Sequence, residues 1–542
     1  MPDVLLVQPP IRDFYLTAKR TIPYGLASIA AALEARGFSV VILDALATSK
    51  SRPAALPPEL ADLPALYGRP DISPFALFHR FRHFGRGFDH IARRAREVRA
   101  PVAGISSLFT PYAAEALAAA EAVKRGHPGC TTVLGGHHPT ALPASALASP
   151  AVDFIVRGEG EAAMPELVRR LLAGEDPAGV PGVGFRRPGG GLHVSPPAVL
   201  AAGADFPLPA FAHIDRRHYR RAGGGGAVVV ASRGCPLSCS YCCVGGAGWL
   251  PYRRRPVAQV LAEIEAAVAH LDAGFIDFED ENLAFDRGWF MALLAGITAR
   301  FGEGALELRA MNGLFPPTLD PEVVAAMRRA GFRTLNLSLG TTCPEQLARF
   351  RRPDVRAAFD AALAAAAHAG MGAVGAIIVG APFQRPEDSV ADLLFLAARR
   401  VLAGVSVFYP APGSREYERC RTLGLLPESL ARLRATALPL DHTTRPEESA
   451  TLLRLGRIVN FMKHLVDRGI DPGAAPPEDD PARDPASRRL AAGRRLLAAF
   501  LADGRIRGMT PEGELFEHRA SRPLVERFIG GLRTIRVRGL AR

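Results

Sequence analysis

Four of the chain's seven cysteines, Cys235, Cys239, Cys242 and Cys243, fall within nine residues. The segment is Ser232-Arg233-Gly234-Cys235-Pro236-Leu237-Ser238-Cys239-Ser240-Tyr241-Cys242-Cys243, and its first three thiols are spaced Cys-x3-Cys-x2-Cys. Thiolates ligate iron–sulfur clusters, and a cubane normally takes four of them. A compact loop with three can cap three irons and leave the fourth open to a substrate or cofactor. Zinc is the competing reading. It prefers four closed ligands, usually as paired Cys-x2-Cys knuckles, and no second knuckle exists here. Cys243 as a fourth ligand would strain the geometry, because it adjoins Cys242; it reads instead as packed in the loop. Cys130, Cys343 and Cys420 stand alone and read as small apolar residues. An odd count with one tight cluster argues against a secreted disulfide framework and for a reducing, cytoplasmic setting.

Other polar and glycine-bearing stretches sit where strands are expected to end. They are Asp280-Glu281-Asn282, Gly380-Ala381-Pro382, Ser106-Ser107-Leu108 and Gly135-Gly136-His137-His138. Glycine lets the backbone approach a flat ligand or its tail closely.

These groups need a scaffold. Residues 1–175 alternate between short apolar strands (4–7, 40–43, 102–106, 132–134, 154–156) and helical stretches (23–36, 112–124, 162–172). Such βαβ alternation predicts a doubly wound parallel sheet, with ligands beyond its carboxyl edge. Between residues 51 and 100, Phe75, Phe78, Phe81, Phe84 and Phe88 recur at roughly helical spacing. They predict an extra helix that carries His79 and His83 four apart. Residues 176–226 read as a Gly- and Pro-rich linker with a small hairpin. From 227 to 425 about six strand–helix units predict a partial (βα)6 TIM barrel, whose chemistry sits at the carboxyl ends of the strands. The cysteine loop follows the first of them. Residues 426–542 read as a helical, basic region in which strand signals stop.

The cysteine segment, with an aromatic residue before its third Cys, resembles the signature of radical S-adenosylmethionine (SAM) enzymes. The resemblance implies a [4Fe–4S] cluster on Cys235, Cys239 and Cys242. Its open iron would hold SAM, whose cleavage gives a 5′-deoxyadenosyl radical. It also implies SAM contacts from Tyr241, Asp280, Glu281, Gly380 and Pro382. One departure stands out: related enzymes often show Gly-x-Glu-Ser after the fourth strand, and this chain has Gly340-Thr341-Thr342-Cys343. Residues 1–175 resemble the cobalamin-binding domain fused to many such enzymes. This likeness implies cobalamin contacts from Asp44, Leu46, Ser106, Ser107, Leu108, Gly135, Gly136 and His138; Arg157-Gly158-Glu159-Gly160-Glu161 matches a further stretch of that family. Proteins that bind cobalamin through a histidine carry Asp-x-His-x-x-Gly. Here Asp44 stands, but Leu46 and Ser49 replace the His and Gly.

The family so identified implies methylation of an unactivated carbon, or of phosphorus, in a small molecule by way of methylcobalamin. An electron donor such as flavodoxin or ferredoxin is implied as partner. Oxidative cyclisation on the same scaffold, as in the anaerobic magnesium-protoporphyrin cyclase, is the alternative. Methylthiotransferases would need three cluster cysteines in the first domain, which holds only Cys130. A cobalamin-binding sensor without turnover is disfavoured by the intact cysteine triad. The net charge is +12, and residues 481–542 carry 14 Arg against 2 Asp and 4 Glu. A basic tail can attract nucleic acid, but no aromatic–basic recognition motif accompanies it. The most apolar stretch, 361–382, reads as a core helix and strand and not as a membrane span.

Overall fold

The alternation in the first third builds one seven-stranded sheet. Its strands are β1 (Val4–Gln8), β2 (Val40–Asp44), β3 (Val102–Ser106), β4 (Thr131–Gly135), β5 (Phe154–Val156), β6 (Val183–Arg186) and β7 (Leu192–Val194), in the order β7-β6-β5-β4-β3-β1-β2. The computed structural model describes residues 1–15, 22–78, 80–200, 207–221, 224–245, 249–474 and 484–539. β1 to β5 are parallel. β1 is buried along its whole length, as a strand covered on both faces must be. α1 (Tyr24–Glu34) and α4 (Gly160–Ala173) cover one face through Leu26, Leu33, Met164 and Leu167. α2 (Phe88–Val98) and α3 (Ala113–Gly126) cover the other through Ile91, Ala95, Ala119 and Val123. The chain order reverses between β1 and β3, so the carboxyl edge there is a switch-point crevice of the kind that binds ligands.

Six further parallel strands form the barrel. β8 (Gly224–Val229), β9 (Ala273–Phe278) and β10 (Glu307–Ala310) pair in one run, and β11 (Thr334–Gly340), β12 (Gly372–Val379) and β13 (Leu402–Val407) pair in a second. Single parallel bridges, Leu308 to Phe332 and Leu314 to Leu337, join the runs. The intervening helices are α5 (Val257–Leu271), α6 (Arg287–Phe301), α7 (Pro321–Ala330), α8 (Pro344–Phe350), α9 (Arg356–His368) and α10 (Pro386–Ala397), followed by α11 (Arg415–Thr422). Asp286 and Asp320 cap α6 and α7 by accepting the Trp289 and Val323 amides at 2.9 and 2.8 Å, which sets where each helix starts.

Three expectations change. The aromatic stretch is not a helix. Phe75, Phe78 and Phe81 lie outside any helix or strand, and Arg82–Phe84 is a strand between Ile11–Asp13 and Ser51–Pro53. Phe75 and Phe81 are buried all the same, in the core shared by the barrel and the C-terminal helices. His83 lies in this strand, with Nε2 3.2 Å from the Arg86 carbonyl oxygen; His79 lies outside the described residues. The hairpin expected in a linker instead adds β6 and β7 to the first sheet, β6 running antiparallel to β5. Beyond residue 425 there is also a hairpin, Arg507–Met509 with Leu515–Glu517. It binds the insertion through Asp71, which accepts the Met509 amide (3.1 Å) and lies 3.0 Å from His518 Nε2. Helix α12 (Pro446–Asp467), the first after the barrel, packs on it, and Lys463, fully buried, donates to the Leu396 and Val401 carbonyls.

Candidate functional site

The cysteine loop leaves the carboxyl end of β8. Its root is fixed by Asp280, at the end of β9. The Asp280 carboxylate is 2% exposed and accepts the Ala231 amide (3.1 Å) and the Ser232 hydroxyl (2.5 Å). Burial pushes this carboxyl up to about 6, against the pull of those two donors. The loop is tight. Gly234 has φ +73°, and a Cβ there would lie 2.6 Å from the Pro251 oxygen. A Cβ on Gly245 would lie 1.9 Å from the Leu237 oxygen.

Inside the loop, burial and neighbouring charge act on Cys235 and Cys242. Burial raises the Cys235 thiol to about 11, and Cys239, Cys242 and the Glu281 carboxylate push the same way. Burial and Glu281 also raise Cys242, while the Val244 and Gly245 amides oppose the shift; the Val244 amide donates to its sulfur at 3.4 Å. Cys243 is raised to about 12, chiefly by burial. Among the described residues no three His, Cys, Asp or Glu side chains lie close enough to share a single metal ion. The loop does fit a cluster, whose iron charge would relieve the burial that raises Cys235 and Cys242. Amide-to-sulfur hydrogen bonds are one of the means by which proteins tune such clusters.

Behind the loop stands a buried arginine that the sequence reading passed over. Arg352 donates from Nη1 to the Tyr241 hydroxyl (2.8 Å) and to Cys239 Sγ (4.0 Å), and from Nη2 to the Ser338 carbonyl and hydroxyl (2.7 Å each). Ser240 ties the loop to α8 and α11: its amide donates to the Phe350 carbonyl (2.9 Å), and its hydroxyl to the Glu416 carboxylate (2.8 Å). Tyr241 packs against Phe350, their ring centroids 4.9 Å apart.

The other sequence candidates lie around this mouth. Glu281 is exposed, unlike its neighbour Asp280. Gly380 has φ +77°, and a Cβ there would press to 3.0 Å on the Ser449 hydroxyl. Pro382 is buried. In the departing Gly340-Thr341-Thr342-Cys343 turn, Asp392 Oδ1 accepts both the Thr342 amide and hydroxyl at 2.6 Å. That turn is therefore bound to α10. Phe285, Phe383 and Tyr409 follow β9, β12 and β13 and are exposed large rings.

At the carboxyl edge of the first sheet, Gly136 has φ +123°, and a Cβ there would lie 2.5 Å from the Ser107 oxygen. Ser107 is buried and its hydroxyl has no hydrogen-bond partner. Both ring nitrogens of the fully buried His138 also lack one, and burial lowers its pKa to about 4. Leu108, next to Ser107, is 47% exposed. An orphaned hydroxyl, a glycine cradle and an exposed leucine at a switch point fit a large, flat, partly apolar ligand such as cobalamin. Ser106 and Gly135 are half-buried at the same edge. Beneath it, Leu46 lies in an apolar cluster with Ile11 and Tyr112. Asp44 accepts the Leu46 amide (2.9 Å) and the Tyr219 hydroxyl.

Ion pairs connect the two domains near these edges. Glu159 and Glu161, just past β5, meet Arg233 and Arg253, which flank the cysteine loop. The Arg157–Glu161 stretch thus joins the two sheets. Its pairing across the chain could not be read from local pattern.

A model of the B12 binding domain matches residues 77–168, and a model of the radical SAM superfamily matches residues 229–396. The chain thus joins a B12-binding domain to a radical SAM domain. The cofactors that go with these two domains are cobalamin, SAM and a [4Fe–4S] cluster. This enzyme is 26% identical over 387 residues to the uncharacterized methyltransferase PH0819 of Pyrococcus horikoshii, covering 70% of this chain and 82% of that protein. It is 28% identical over 269 residues to the anaerobic magnesium-protoporphyrin IX monomethyl ester cyclase of Rubrivivax gelatinosus, covering 48% of this chain and 47% of the cyclase. Its fold is similar to that of the radical SAM methyltransferase TsrM from Kitasatospora setae, solved with tryptophan and a SAM analogue. The TM-score is 0.61 at 18% identity, over 84% of this chain and 89% of that one. Among the described residues no helix of the enzyme is long and apolar enough to cross a membrane.

Proposed function

We propose that this enzyme methylates an unactivated carbon, or phosphorus, of a small molecule, in a reducing cytoplasm and with electrons from a flavodoxin- or ferredoxin-like donor. The observation that carries this reading is the joining of the two carboxyl edges through Glu159, Glu161, Arg233 and Arg253. It supports the reading because it ties the stretch after β5 to the root of the cysteine loop, so that in this reading a single substrate would meet both cofactors between the two domains. The methyltransferase relative also matches over most of its length, whereas the cyclase matches over about half of its own.

In this reading Cys235, Cys239 and Cys242 hold the cluster. Asp280 anchors the loop root through Ala231 and Ser232, leaving exposed Glu281 to meet the SAM amino group. Gly380 and Pro382 line the adenine, beside Tyr241. Ser106, Ser107, Leu108, Gly135, Gly136 and His138 surround cobalamin, with Asp44 and Leu46 beneath. When bound, the cluster cleaves SAM to a radical and cobalamin carries the methyl group. The protein's own part is to bind, align and exclude water.

The test is anaerobic incubation with reductant, cobalamin and methyl-labelled SAM over fractionated cell extract. Release of 5′-deoxyadenosine and S-adenosylhomocysteine, with label in one small product, is expected. A product with no added carbon overturns methylation and favours cyclisation.

A further inference from the structure

Glu159 belongs to the cobalamin-binding domain; Arg233 and Arg253 belong to the barrel. Glu159 Oε1 lies 2.9 Å from Arg233 Nη1 and 2.6 Å from Arg253 Nη2, and its Oε2 accepts the Leu200 amide at 2.6 Å. Glu161 Oε1 takes the other Arg233 nitrogen at 2.6 Å. The glutamate side chains are 2% and 8% exposed, the arginines 17% and 15%. Two carboxylates face two guanidiniums, so no charge in the set is buried without a partner, the condition under which such a cluster is tolerated.

The surrounding backbone leaves the glutamates little room to shift. Gly158 has φ +80°, and a Cβ there would lie 2.2 Å from the Ala198 oxygen; one on Gly160 would lie 2.7 Å from Ile29 Cδ1. On the barrel side, Arg233 pairs across a two-residue ladder with Arg253 and directly precedes Gly234-Cys235. A displacement of Glu159 therefore passes to the first cysteine through two residues. Surface ion pairs shift by side-chain rotation at little cost. This buried, branched set cannot do so without leaving a charge unpaired.

We propose that Glu159 is a positioning residue: by binding Arg233 and Arg253 together it sets the gap between the cysteine loop and the cobalamin cradle, across which one substrate must be handed. The inference rests on the methyl-transfer reading for its purpose but not for its geometry. The radical and the methyl donor must both reach one substrate atom, and near-attack geometry is lost with displacements of about 1 Å.

The test uses the holoenzyme of E159Q beside the unsubstituted protein. Pulsed dipolar electron paramagnetic resonance between the reduced cluster and cobalt(II) cobalamin reads the gap directly, without turnover. E159Q is expected to bind both cofactors and to give a broader distance distribution. Its ratio of 5′-deoxyadenosine to methylated product is expected to rise by about tenfold or more. Should E159Q fail to accumulate, E161Q, which cuts only the outer half of the set, is read instead, with a smaller broadening expected. A distribution identical to that of the unsubstituted enzyme overturns the proposal in either variant. If the enzyme makes no methylated product at all, the methyl-transfer reading fails, while the distance measurement still decides the role of Glu159.

Discussion

Arg352 bridges Tyr241 and Cys239, standing 2.8 Å from the tyrosine hydroxyl and 4.0 Å from the sulfur. This places a buried positive charge directly behind a proposed cluster ligand. Such a charge stabilises the more negative, reduced state of the cluster. Arg352→Met is expected to shift the cluster potential to more negative values and to slow SAM cleavage on the order of tenfold or more. Arg352→Lys should recover part of the potential but less of the orientation, because an ammonium cannot reach both partners in a planar fork. A redox titration followed by the cluster's spin signal checks the first effect. An unchanged potential in Arg352→Met would refute it.

Alanine at Cys235, Cys239 or Cys242 should each abolish both bound iron and SAM cleavage. Cys243→Ala should keep both, because Cys243 is here read as packing. Iron content and 5′-deoxyadenosine release measure the outcome. An inactive Cys243→Ala beside an active Cys235→Ala would reverse the assignment.

Leu46 offers no nitrogen to cobalt, and His83 already lies within hydrogen-bond distance of the Arg86 carbonyl oxygen. With the cobalamin tail inserted and its own dimethylbenzimidazole displaced from the lower face, the bound cobalt(II) state should show no axial nitrogen splitting in its electron paramagnetic resonance spectrum. Splitting that vanished in His83→Ala would show that the insertion supplies the ligand after all.

Asp44 carries a pH signature. Burial raises its carboxyl to about 6, against the Tyr219 hydroxyl and the Leu46 amide, which pull it down. The folded protein then holds this proton at pH values where the unfolded chain, near the usual carboxylate range, has released it. The contribution of Asp44 to stability is thus largest below about pH 4, falls as pH rises to about 6 and is level above. Asp44→Asn should remove that part of the decline from a plot of Tm against pH. An unchanged slope between pH 4 and 6 would show that Asp44 is not its source.

If methyl transfer is the reaction, roughly two SAM should be consumed per product, one cleaved to 5′-deoxyadenosine and one demethylated. Quantifying both nucleoside products against methylated product tests this. A ratio near one, with no S-adenosylhomocysteine, would contradict it.

Much of the architecture was legible in the residues, because it depends on local periodicity and short spacings. Alternating apolar runs such as 4–8 and 102–106 mark strands buried on both faces, and three thiols within eight residues mark a loop whatever surrounds it. The same local reasoning failed at Phe75 to Phe88. Spacing near three residues mimics a helix, but Arg82–Phe84 pairs as a strand with the distant segments Ile11–Asp13 and Ser51–Pro53. Nor could local pattern separate Asp280, turned inward to hold Ser232, from Glu281, left exposed beside it. Arg352 was one of 66 basic residues until folding set it against Cys239. The pairing of Glu159 with Arg233 and Arg253 spans 74 and 94 positions. Contacts at such separation leave no periodic trace in the chain, because they are selected by the packing of whole domains and not by the neighbours of either residue.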